Sequence, residues 1–301
     1  MCPANTINQR VKFIFKAGRF RLLLGKRTLL MGVLNLTPDS FSGDGALKKK
    51  KDPHRNLSIV QKMIDEGADI IDIGGESTRP DSKRISEEEE IKRVIPTLKL
   101  LSKRIKKPIS IDTYKPAVAK YALDCGASII NNIMGTCPDK LLLKIIESYR
   151  AGIVLMHIRG TPETMQKNIY YKNLLGEIRN ELNESVEKCL EVGIKSDRII
   201  IDPGIGFGKT VSHNLEIIRK LSYFKFLNKP ILVGTSRKSF IGKILDRDIS
   251  ERLMGTAATV CACILNGAHI VRVHDIGKLS DVVRMADALM PSNNNHAIST
   301  N

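Results

Sequence analysis

The sequence contains no tryptophan, few aromatic residues and no long apolar run. Aromatic residues make up 5% of its 301 residues, which is little for a surface that stacks on nucleic-acid bases. No apolar run reaches the roughly 18 residues that a membrane-spanning helix needs. Residues 1–38 contain no Asp or Glu and lack the apolar core of a secretory signal, so only a transit peptide stays open there.

The six cysteines form no recognisable motif. None belongs to a C-x-x-C pair, and none has a histidine at the spacing of a zinc site. Several lie in apolar helical stretches, so we expect buried free thiols. Free thiols are typical of the reducing cytoplasm, and the sequence therefore favours a cytoplasmic protein.

Positive charge is what the sequence has in excess, with a formal net charge of +16. One interpretation is nucleic-acid binding. We favour a lysine-rich enzyme that handles anions, because the basic residues are spread widely and aromatic residues are few. The prediction is a protein with small-molecule substrates and with no nucleic-acid or membrane partner.

A glycine, a β-branched run and a polar residue follow one another repeatedly along the chain. The pattern occupies residues 67–72, 126–131 and 267–272, and looser forms occupy 152–157 and 193–202. A left-handed glycine ends a helix, and the run after it suits a strand that is buried on both faces. The pattern predicts repeated helix–strand units whose polar strand ends point to one place.

Eight strand candidates alternate with helical patterns, and no linker-like change of composition interrupts them. The candidates are residues 28–35, 70–74, 109–112, 129–131, 153–156, 199–202, 231–234 and 270–273. This alternation predicts an α/β fold, a single (β/α)₈ TIM barrel. A doubly wound sheet is the rival, but it usually has a glycine-rich phosphate loop after its first strand, and residues 36–45 do not form that loop.

Segments at both ends flank the predicted barrel, which covers residues 28–290. Residues 1–27 are predicted to form an extension and an N-terminal β-hairpin that turns near Ala17 and Gly18, because apolar and basic residues alternate there. Residues 291–301 are predicted to be a disordered tail.

Three helices can be placed from local signals. Ser86, followed by four glutamates, predicts a capped helix start with acids near the positive end; Ser82 is a weaker alternative. Amphipathic stretches predict helices over residues 174–192 and 251–265.

Polar and basic residues stand at the predicted strand ends, which face one mouth in a barrel. These residues are Asn35, Asp112, Asn131, Asp202, Arg272 and His274. A single Asp after a strand is most often a helix cap, but several such ends with amide and basic partners favour a binding site. Carboxylates and amides suit the edge of an aminopyrimidine-type ring, and the basic groups, with Lys238 and Arg79, suit anions.

Four loops carry further signals. Residues 37–42 and 74–80 are rich in glycine and hydroxyl groups and are predicted to be mobile lids, although ordinary turns would look similar. Residues 202–210 are not a P-loop, because Pro203 stands where a glycine is needed, and we expect their glycines to let the backbone approach a flat ring. Residues 235–239 place two basic residues and a Ser at a helix start, which suits a carboxylate or phosphate.

No nucleophilic triad and no carboxylate-rich metal cage is evident in the sequence. A Mg²⁺ ion that is bound mainly to phosphate needs only one or two protein oxygens, so it would leave no recognisable metal motif in the sequence.

Five motifs, in order and at predicted strand ends, carry a resemblance to a known family. They are residues 31–42, 72–80, 202–209, 236–239 and 272–275. On these motifs the chain resembles dihydropteroate synthases over about residues 30–285. The resemblance implies a transferase of tetrahydrofolate biosynthesis that joins 6-hydroxymethyl-7,8-dihydropterin diphosphate to 4-aminobenzoate and releases 7,8-dihydropteroate and diphosphate. It also implies Mg²⁺, a homodimer and inhibition by sulfonamides.

The resemblance further implies a role for each matched residue. Asp112, Asn131, Asp202 and Lys238 match contacts of the pterin ring, and Met156 and Phe207 match its apolar walls. Asn35, Thr78, Arg272 and His274 match the diphosphate and metal site, with Asn35 as the metal ligand. Phe41, Pro80 and Ser239 match the aminobenzoate side, and Arg79 a lid residue. Asp112, Asp202 and Lys238 are the implied catalytic residues of a dissociative substitution at the pterin methylene, in which the two carboxylates stabilise positive charge.

The chain departs from the family pattern at Asn132, where the family usually has Asp, and in the first lid, where Gly43 precedes Asp44. A corrinoid-linked methyltetrahydrofolate methyltransferase is the first alternative, but it needs no diphosphate site and so leaves residues 77–80 and 236–239 unexplained. The second alternative is a catalytically silent pterin-binding or nucleic-acid-binding protein, for which the net charge is the only signal.

Overall fold

The computed structural model describes residues 10–37, 52–78 and 82–291. Within these ranges, two antiparallel strands form a hairpin and eight parallel strands form one sheet. The strands are β1 Phe13–Ala17, β2 Phe20–Leu24, β3 Leu29–Asn35, β4 Ile70–Gly74, β5 Ile109–Asp112, β6 Ile129–Asn132, β7 Gly152–Met156, β8 Ile199–Asp202, β9 Leu232–Val233 and β10 Ile270–Val273.

Helices alternate with the strands of the sheet. In the part of the chain that the structure describes, the α-helices are α1 Pro53–Asp65, α2 Glu87–Arg104, α3 Pro116–Asp124, α4 Lys140–Ser148, α5 Leu174–Glu191, α6 Val211–Arg219, α7 Ser239–Leu245, α8 Leu253–Leu265 and α9 Ile276–Ala288. None of them is long and apolar enough to cross a membrane.

The sheet closes on itself. Its strand order is β8-β7-β6-β5-β4-β3-β10-β9, and a parallel bridge between Ile201 and Ile231 joins the two edge strands. One large apolar cluster fills the space between the strands and the helices, and a smaller one fills the barrel interior. The prediction of a TIM barrel is confirmed.

Left-handed glycines end several of the helices, as the repeated sequence pattern predicts. Gly67, Gly126 and Gly267 have φ angles of 109°, 101° and 103°. The looser pattern at residues 152–157 behaves differently, because Arg150 is the left-handed residue there, with φ 51°. Gly152 lies within β7, where a Cβ atom would overlap the ring of Phe15.

The hairpin closes the amino-terminal end of the barrel. β1 and β2 pair from Phe13 opposite Leu24 to Ala17 opposite Phe20, so the turn lies where the sequence predicts it. Phe15, Ala17 and Leu24 are buried and pack in the interior cluster. Their burial leaves the carboxyl-terminal end of the barrel as the open mouth.

The predicted element boundaries agree with the observed ones to within two residues. β9 is shorter than predicted, and the helix predicted over residues 251–265 begins at Leu253. Ser86 caps α2, because its hydroxyl accepts a hydrogen bond from the Glu89 backbone N at 3.2 Å. Among the described cysteines, all are free thiols: Cys189 and Cys263 are buried, but Cys137 is exposed. The predicted tail, apart from Pro291, lies outside the described residues.

Candidate active site

Three of the predicted site residues lie on one row across the barrel mouth. Asn35 is in register with Gly74, Gly74 with Asp112, and Asp112 with Asn131. Gly74 contributes no side chain to this row, and a Cβ atom there would lie 3.5 Å from Asn35 Oδ1 and 3.7 Å from Asp112 Cβ. The row therefore brings an amide, a carboxylate and a second amide to one edge of the barrel.

Arg272 bridges two carboxylates inside the barrel. Its Nε donates to Asp72 Oδ2 at 2.7 Å, and its Nη2 donates to Asp112 Oδ2 at 2.9 Å. Asp72 Oδ2 also accepts from Asn131 Nδ2 at 3.1 Å. One buried aspartate thus orients both Arg272 and Asn131.

Asp72 is the residue that sequence reasoning leaves out of the site. Ile70 belongs to the interior cluster and Ile71 to the outer one, so Asp72 and Gly74 share the interior face with Ile70. The two-residue alternation of β4 is the signal that could have placed Asp72 inside. Its partner Arg272, 200 positions away, could not be read from β4.

Burial sets the charge state of this network. It raises the pKa of Asp112 to about 7, against the opposing effect of the Arg272 guanidinium. Burial disfavours the charge of Arg272 as well, but Asp72 and Asp112 outweigh it and raise the pKa of the guanidinium. Asp112 Oδ1 and Asp72 Oδ1 are buried and accept no hydrogen bond from the described residues. Two acceptor oxygens are therefore available in the interior.

Asp202 ends β8 next to the end of β7, where Met156 is its partner in register. It is buried, and its Oδ1 accepts from the Gly204 backbone N at 2.7 Å. Burial raises the pKa of Asp202, while the charge of Lys238 opposes that shift. Gly204 has φ 68°, and a Cβ atom there would overlap the His157 carbonyl oxygen, so only glycine allows the loop to pass.

An apolar wall stands beside these polar groups. Met156 packs in a small cluster with Ile133, Ile158 and Met165, against which Phe207 also packs. Lys238 Nζ lies 4.6 Å from the centre of the Phe207 ring and donates to the Ile205 carbonyl. Burial lowers the pKa of Lys238 to about 8, and the nearby charge of Asp202 opposes that shift. The Lys238 amino group therefore lies close to both an aromatic ring and a carboxylate.

Polar side chains of the loop after β9 contact two different residues of the loop after β10, His274 and Asp275. Ser236 Oγ lies 3.0 Å from His274 Nδ1, next to Arg272. Arg237 instead forms a two-pronged ion pair with Asp275 at 2.6 and 2.9 Å and so links the loops after β9 and β10. The Arg237 guanidinium is therefore already paired, and an anion-binding role for the basic residues of this loop stays a prediction for Lys238. Ser239 is exposed at the first position of α7.

Asn35 and Thr78 are the remaining described candidates for a phosphate and metal site. Both are partly exposed, at the end of β3 and in the loop after β4. The described residues contain no group of three or more His, Cys, Asp or Glu side chains that could hold a metal ion. Phe41, Arg79 and Pro80, with the first lid beyond Thr37, lie outside the described ranges.

Asn132, the departure from the family pattern, is buried one position beyond Asn131. Its Oδ1 accepts from the Met134 backbone N at 2.9 Å and so stabilises the turn after β6. Its Nδ2 has no hydrogen-bond partner among the described residues. The amide oxygen keeps the turn-stabilising bond that a carboxylate would make, and the amide nitrogen remains a buried donor without a partner among the described residues.

Comparisons with known proteins agree on one family. A model of the pterin binding enzymes matches residues 31–274. A dihydropteroate synthase of Synechocystis is 46% identical over 88% of this chain and 91% of its own length. The Yersinia pestis dihydropteroate synthase, solved with a sulfonamide drug, superposes with a TM-score of 0.85 at 35% identity and covers 92% of this chain and 98% of its own.

A third relative is also a dihydropteroate synthase. The Burkholderia cenocepacia dihydropteroate synthase, complexed with 7,8-dihydropteroate, superposes with a TM-score of 0.81 at 34% identity. The superposition covers 92% of this chain and 96% of that one.

Proposed function

Because the chain belongs to the dihydropteroate synthases, a family of pterin-binding enzymes, we propose that its barrel mouth carries out their condensation by dissociative substitution at the pterin methylene. The enzyme is a transferase of folate biosynthesis. Its substrates are 6-hydroxymethyl-7,8-dihydropterin diphosphate and 4-aminobenzoate, and its products are 7,8-dihydropteroate and diphosphate.

The observation that carries the proposal is the row of Asn35, Asp112 and Asn131 at the mouth, with Arg272 bonded beneath it. The unsatisfied Asp112 Oδ1 supports it further, since a buried acceptor is costly until it meets a donor. An aminopyrimidine ring supplies several N–H donors along one edge. Asp112, Asn131 and Asp202 would bind that edge, with Lys238 at the ring.

The remaining groups suit the two ends of the substrate. Met156 and Phe207 offer apolar surface to a flat ring. Arg272 and His274, with Thr78 and the lid residue Arg79, would bind the diphosphate, because charge-assisted hydrogen bonds to phosphate are strong. Ser239, with Phe41 and Pro80, would border the aminobenzoate.

Positive charge develops on the pterin methylene as the bond to diphosphate breaks. Asp112 and Asp202, once ionised, would stabilise that charge in a buried setting where electrostatic effects are strong. The aminobenzoate nitrogen then attacks the methylene, and its proton passes to water or to the released diphosphate. An amine nucleophile needs little help from a general base, so the proposal assigns that role to no residue.

Asn35 fits a Mg²⁺ ion that is held mainly by the substrate. Mg²⁺ keeps several waters and commonly uses one or two protein oxygens together with substrate phosphates, and the Asn35 amide oxygen lies on the row of the mouth. When bound there, Mg²⁺ would neutralise charge on the diphosphate.

The setting of the enzyme is also part of the proposal. A cytoplasmic location is supported by free thiols at all described cysteines. A homodimer is supported by exposed apolar side chains near the carboxyl terminus, among them Leu245, Met254 and Met285. No nucleic-acid or membrane partner is proposed.

The test is an assay of the purified protein with the pterin diphosphate, 4-aminobenzoate and Mg²⁺. We expect dihydropteroate and diphosphate in equal amounts, and competition between sulfonamides and 4-aminobenzoate. Methyl transfer from methyltetrahydrofolate to a corrinoid would favour the alternative enzyme. Tight, salt-dependent RNA binding without turnover would favour the second alternative.

A further inference from the structure

Four consecutive carbonyl groups in the loop after β8 each accept a hydrogen bond from a side chain. Three glycines of this loop, Gly204, Gly206 and Gly208, have positive φ angles, so the backbone turns without a regular hydrogen-bond pattern. The donors are Lys238 to Ile205, Gln166 Nε2 to Gly206 at 3.1 Å, Lys209 Nζ to Phe207 at 2.9 Å and Tyr171 OH to Gly208 at 3.0 Å. Side chains, three from outside the loop and Lys209 from within it, therefore set its shape.

The two lysines in this set differ in what else they do. Lys238 lies over the Phe207 ring, where the proposed substrate would compete for its ammonium group. Lys209 is 3% exposed, and its Nζ lies 2.9 Å from His157 Nδ1. Lys209 can therefore keep its bond to the Phe207 carbonyl while substrate occupies the mouth.

His157 connects Lys209 to the outer helix layer. It is fully buried just after β7, and its backbone N donates to the Asp202 carbonyl at 2.9 Å. Its Nε2 lies 3.2 Å from Glu181 Oε2 on α5, an ion-pair distance at which the two atoms are not aligned for a hydrogen bond. Since Nδ1 accepts from Lys209, the ring proton stands on Nε2 and faces the Glu181 carboxylate. Burial, aided by the charge of Lys209, lowers the pKa of His157 to about 4, which keeps the ring neutral.

Glu181 is fixed in turn by Arg159. The Arg159 Nη2 group donates to Glu181 Oε1 at 2.5 Å, and the Arg159 guanidinium lies 4.0 Å from the centre of the Tyr171 ring. Tyr171 is itself the donor to Gly208. Glu181 thus lies close to His157, which contacts Lys209, and is bonded to Arg159, which contacts Tyr171. Lys209 and Tyr171 in turn bond the neighbouring carbonyls of Phe207 and Gly208.

We propose that Glu181, His157 and Lys209 form a positioning chain that fixes the Phe207 carbonyl and, with it, the wall and carboxylate that meet the pterin ring. Burial lowers the pKa of Lys209 well below its ordinary value, so its amino group adds little net stability, and its main effect is on geometry. The chain acts through Phe207 and Asp202, and it should therefore affect the pterin substrate and leave 4-aminobenzoate nearly unaffected. This inference rests on the proposed function.

The first test compares Lys209→Met with Lys220→Met. Lys220 is an exposed lysine at the carboxyl end of α6 and serves as the control. Calorimetry with the pterin diphosphate and Mg²⁺ gives Kd, and steady-state kinetics gives both KM values. For Lys209→Met we expect Kd and KM for the pterin diphosphate to rise about tenfold, as for the loss of one buried hydrogen bond. We expect KM for 4-aminobenzoate to change by less than about twofold. A folded Lys209→Met protein with the Kd of the control would overturn the proposal.

The second test uses His157, in case Lys209→Met fails to fold. His157→Gln keeps one acceptor and one donor, whereas His157→Leu keeps neither. We expect Gln to retain most of the pterin affinity and Leu to lose about as much as Lys209→Met. Equal losses in the two variants would show a packing role only and overturn the proposal.

A double variant shows whether the two residues act as one unit. Lys209→Met combined with His157→Leu should bind pterin no more weakly than Lys209→Met alone, since both remove the same connection. Fully additive losses of pterin affinity in the double variant would overturn the proposal. If the unaltered protein binds pterin but forms no dihydropteroate, the proposed function fails, while these affinity comparisons still decide the positioning chain.

Discussion

Arg272 Nε lies 2.7 Å from Asp72 Oδ2, and this ion pair joins β10 to β4 inside the barrel. The carboxylate is fully buried, whereas the guanidinium is 21% exposed toward the mouth. Asp72 thereby holds the inner end of Arg272 and leaves the other nitrogens to Asp112 and to the proposed diphosphate.

Asp72→Asn should therefore weaken substrate binding without direct contact to substrate. It replaces an ionic acceptor of Arg272 and Asn131 by an amide, and a hydrogen bond to a charged group is worth about 1.5–3 kcal/mol. We expect kcat/KM for the pterin diphosphate to fall about 10- to 100-fold. Asp281→Asn, at an exposed position of α9, is the control. Unchanged kinetics in a folded Asp72→Asn protein would show that Arg272 needs no such support.

The raised pKa of Asp112 predicts an acid limb in the activity profile. Burial raises this pKa to about 7, so the carboxyl is increasingly protonated as the pH falls below that value. If the carboxylate stabilises the pterin cation, kcat/KM should fall by about tenfold per pH unit below 7. Asp112→Asn should have lower activity and lack this limb. An identical acid limb in the variant would assign it to another group.

The same shift predicts how stability changes with pH. The folded protein binds the Asp112 proton more tightly than the unfolded chain, whose ordinary value is 3.8. The free energy of unfolding due to this group is therefore fully present below about pH 4 and is lost as the pH rises toward 7. The Tm of Asp112→Asn relative to the unaltered protein should rise over this interval. A constant difference would contradict the shift.

Asn35 is expected to set the Mg²⁺ requirement. Asn35→Ala removes the amide oxygen proposed as the protein ligand, and removal of a single ligand should raise the Mg²⁺ concentration for half-maximal pterin diphosphate binding by about tenfold. Calorimetry at a series of Mg²⁺ concentrations measures this, and excess Mg²⁺ should restore binding. A Mg²⁺ dependence equal to that of the unaltered protein would exclude Asn35 as a ligand.

Phe15 lies at the closed end of the barrel, so its substitution should lower stability without changing catalysis. It is 1% exposed and fills the space above Gly152, so Phe15→Ala should lower the free energy of unfolding by about 3–5 kcal/mol. Chemical denaturation measures this, with Ile14→Ala, on the exposed face of β1, as the control. A folded Phe15→Ala protein should keep its kcat and KM; a large change in KM with little loss of stability would contradict the separation.

The sequence predicts the strands well because each is a short run buried on both faces and preceded by a turn signal. Asn35, Asp112 and Asn131 could be placed for the same reason, since each ends such a run. Roles that depend on partners in distant elements were not predictable. Asp72 does not end its strand, so the pattern of strand ends leaves it out. Before β7 the left-handed residue is Arg150, because Gly152 lies in the strand itself and makes room for the Phe15 ring.

Lys209 shows most plainly which roles the sequence alone does not predict. In the sequence it is only the last residue of the motif over residues 202–209, and its partners His157 and Glu181 lie in two other elements. Their contacts depend on how the β8 loop crosses the end of β7, which no local pattern specifies.

The central claim is that carboxylates at the strand ends stabilise a pterin cation in this barrel, and Asp202→Asn tests it most directly. The variant keeps the size and most hydrogen bonds of the side chain but removes its charge. We predict that the unaltered protein forms dihydropteroate and that the variant loses about 10²–10³-fold in kcat, as expected for an electrostatic stabiliser of the transition state. A folded Asp202→Asn protein with near-normal kcat would contradict the account.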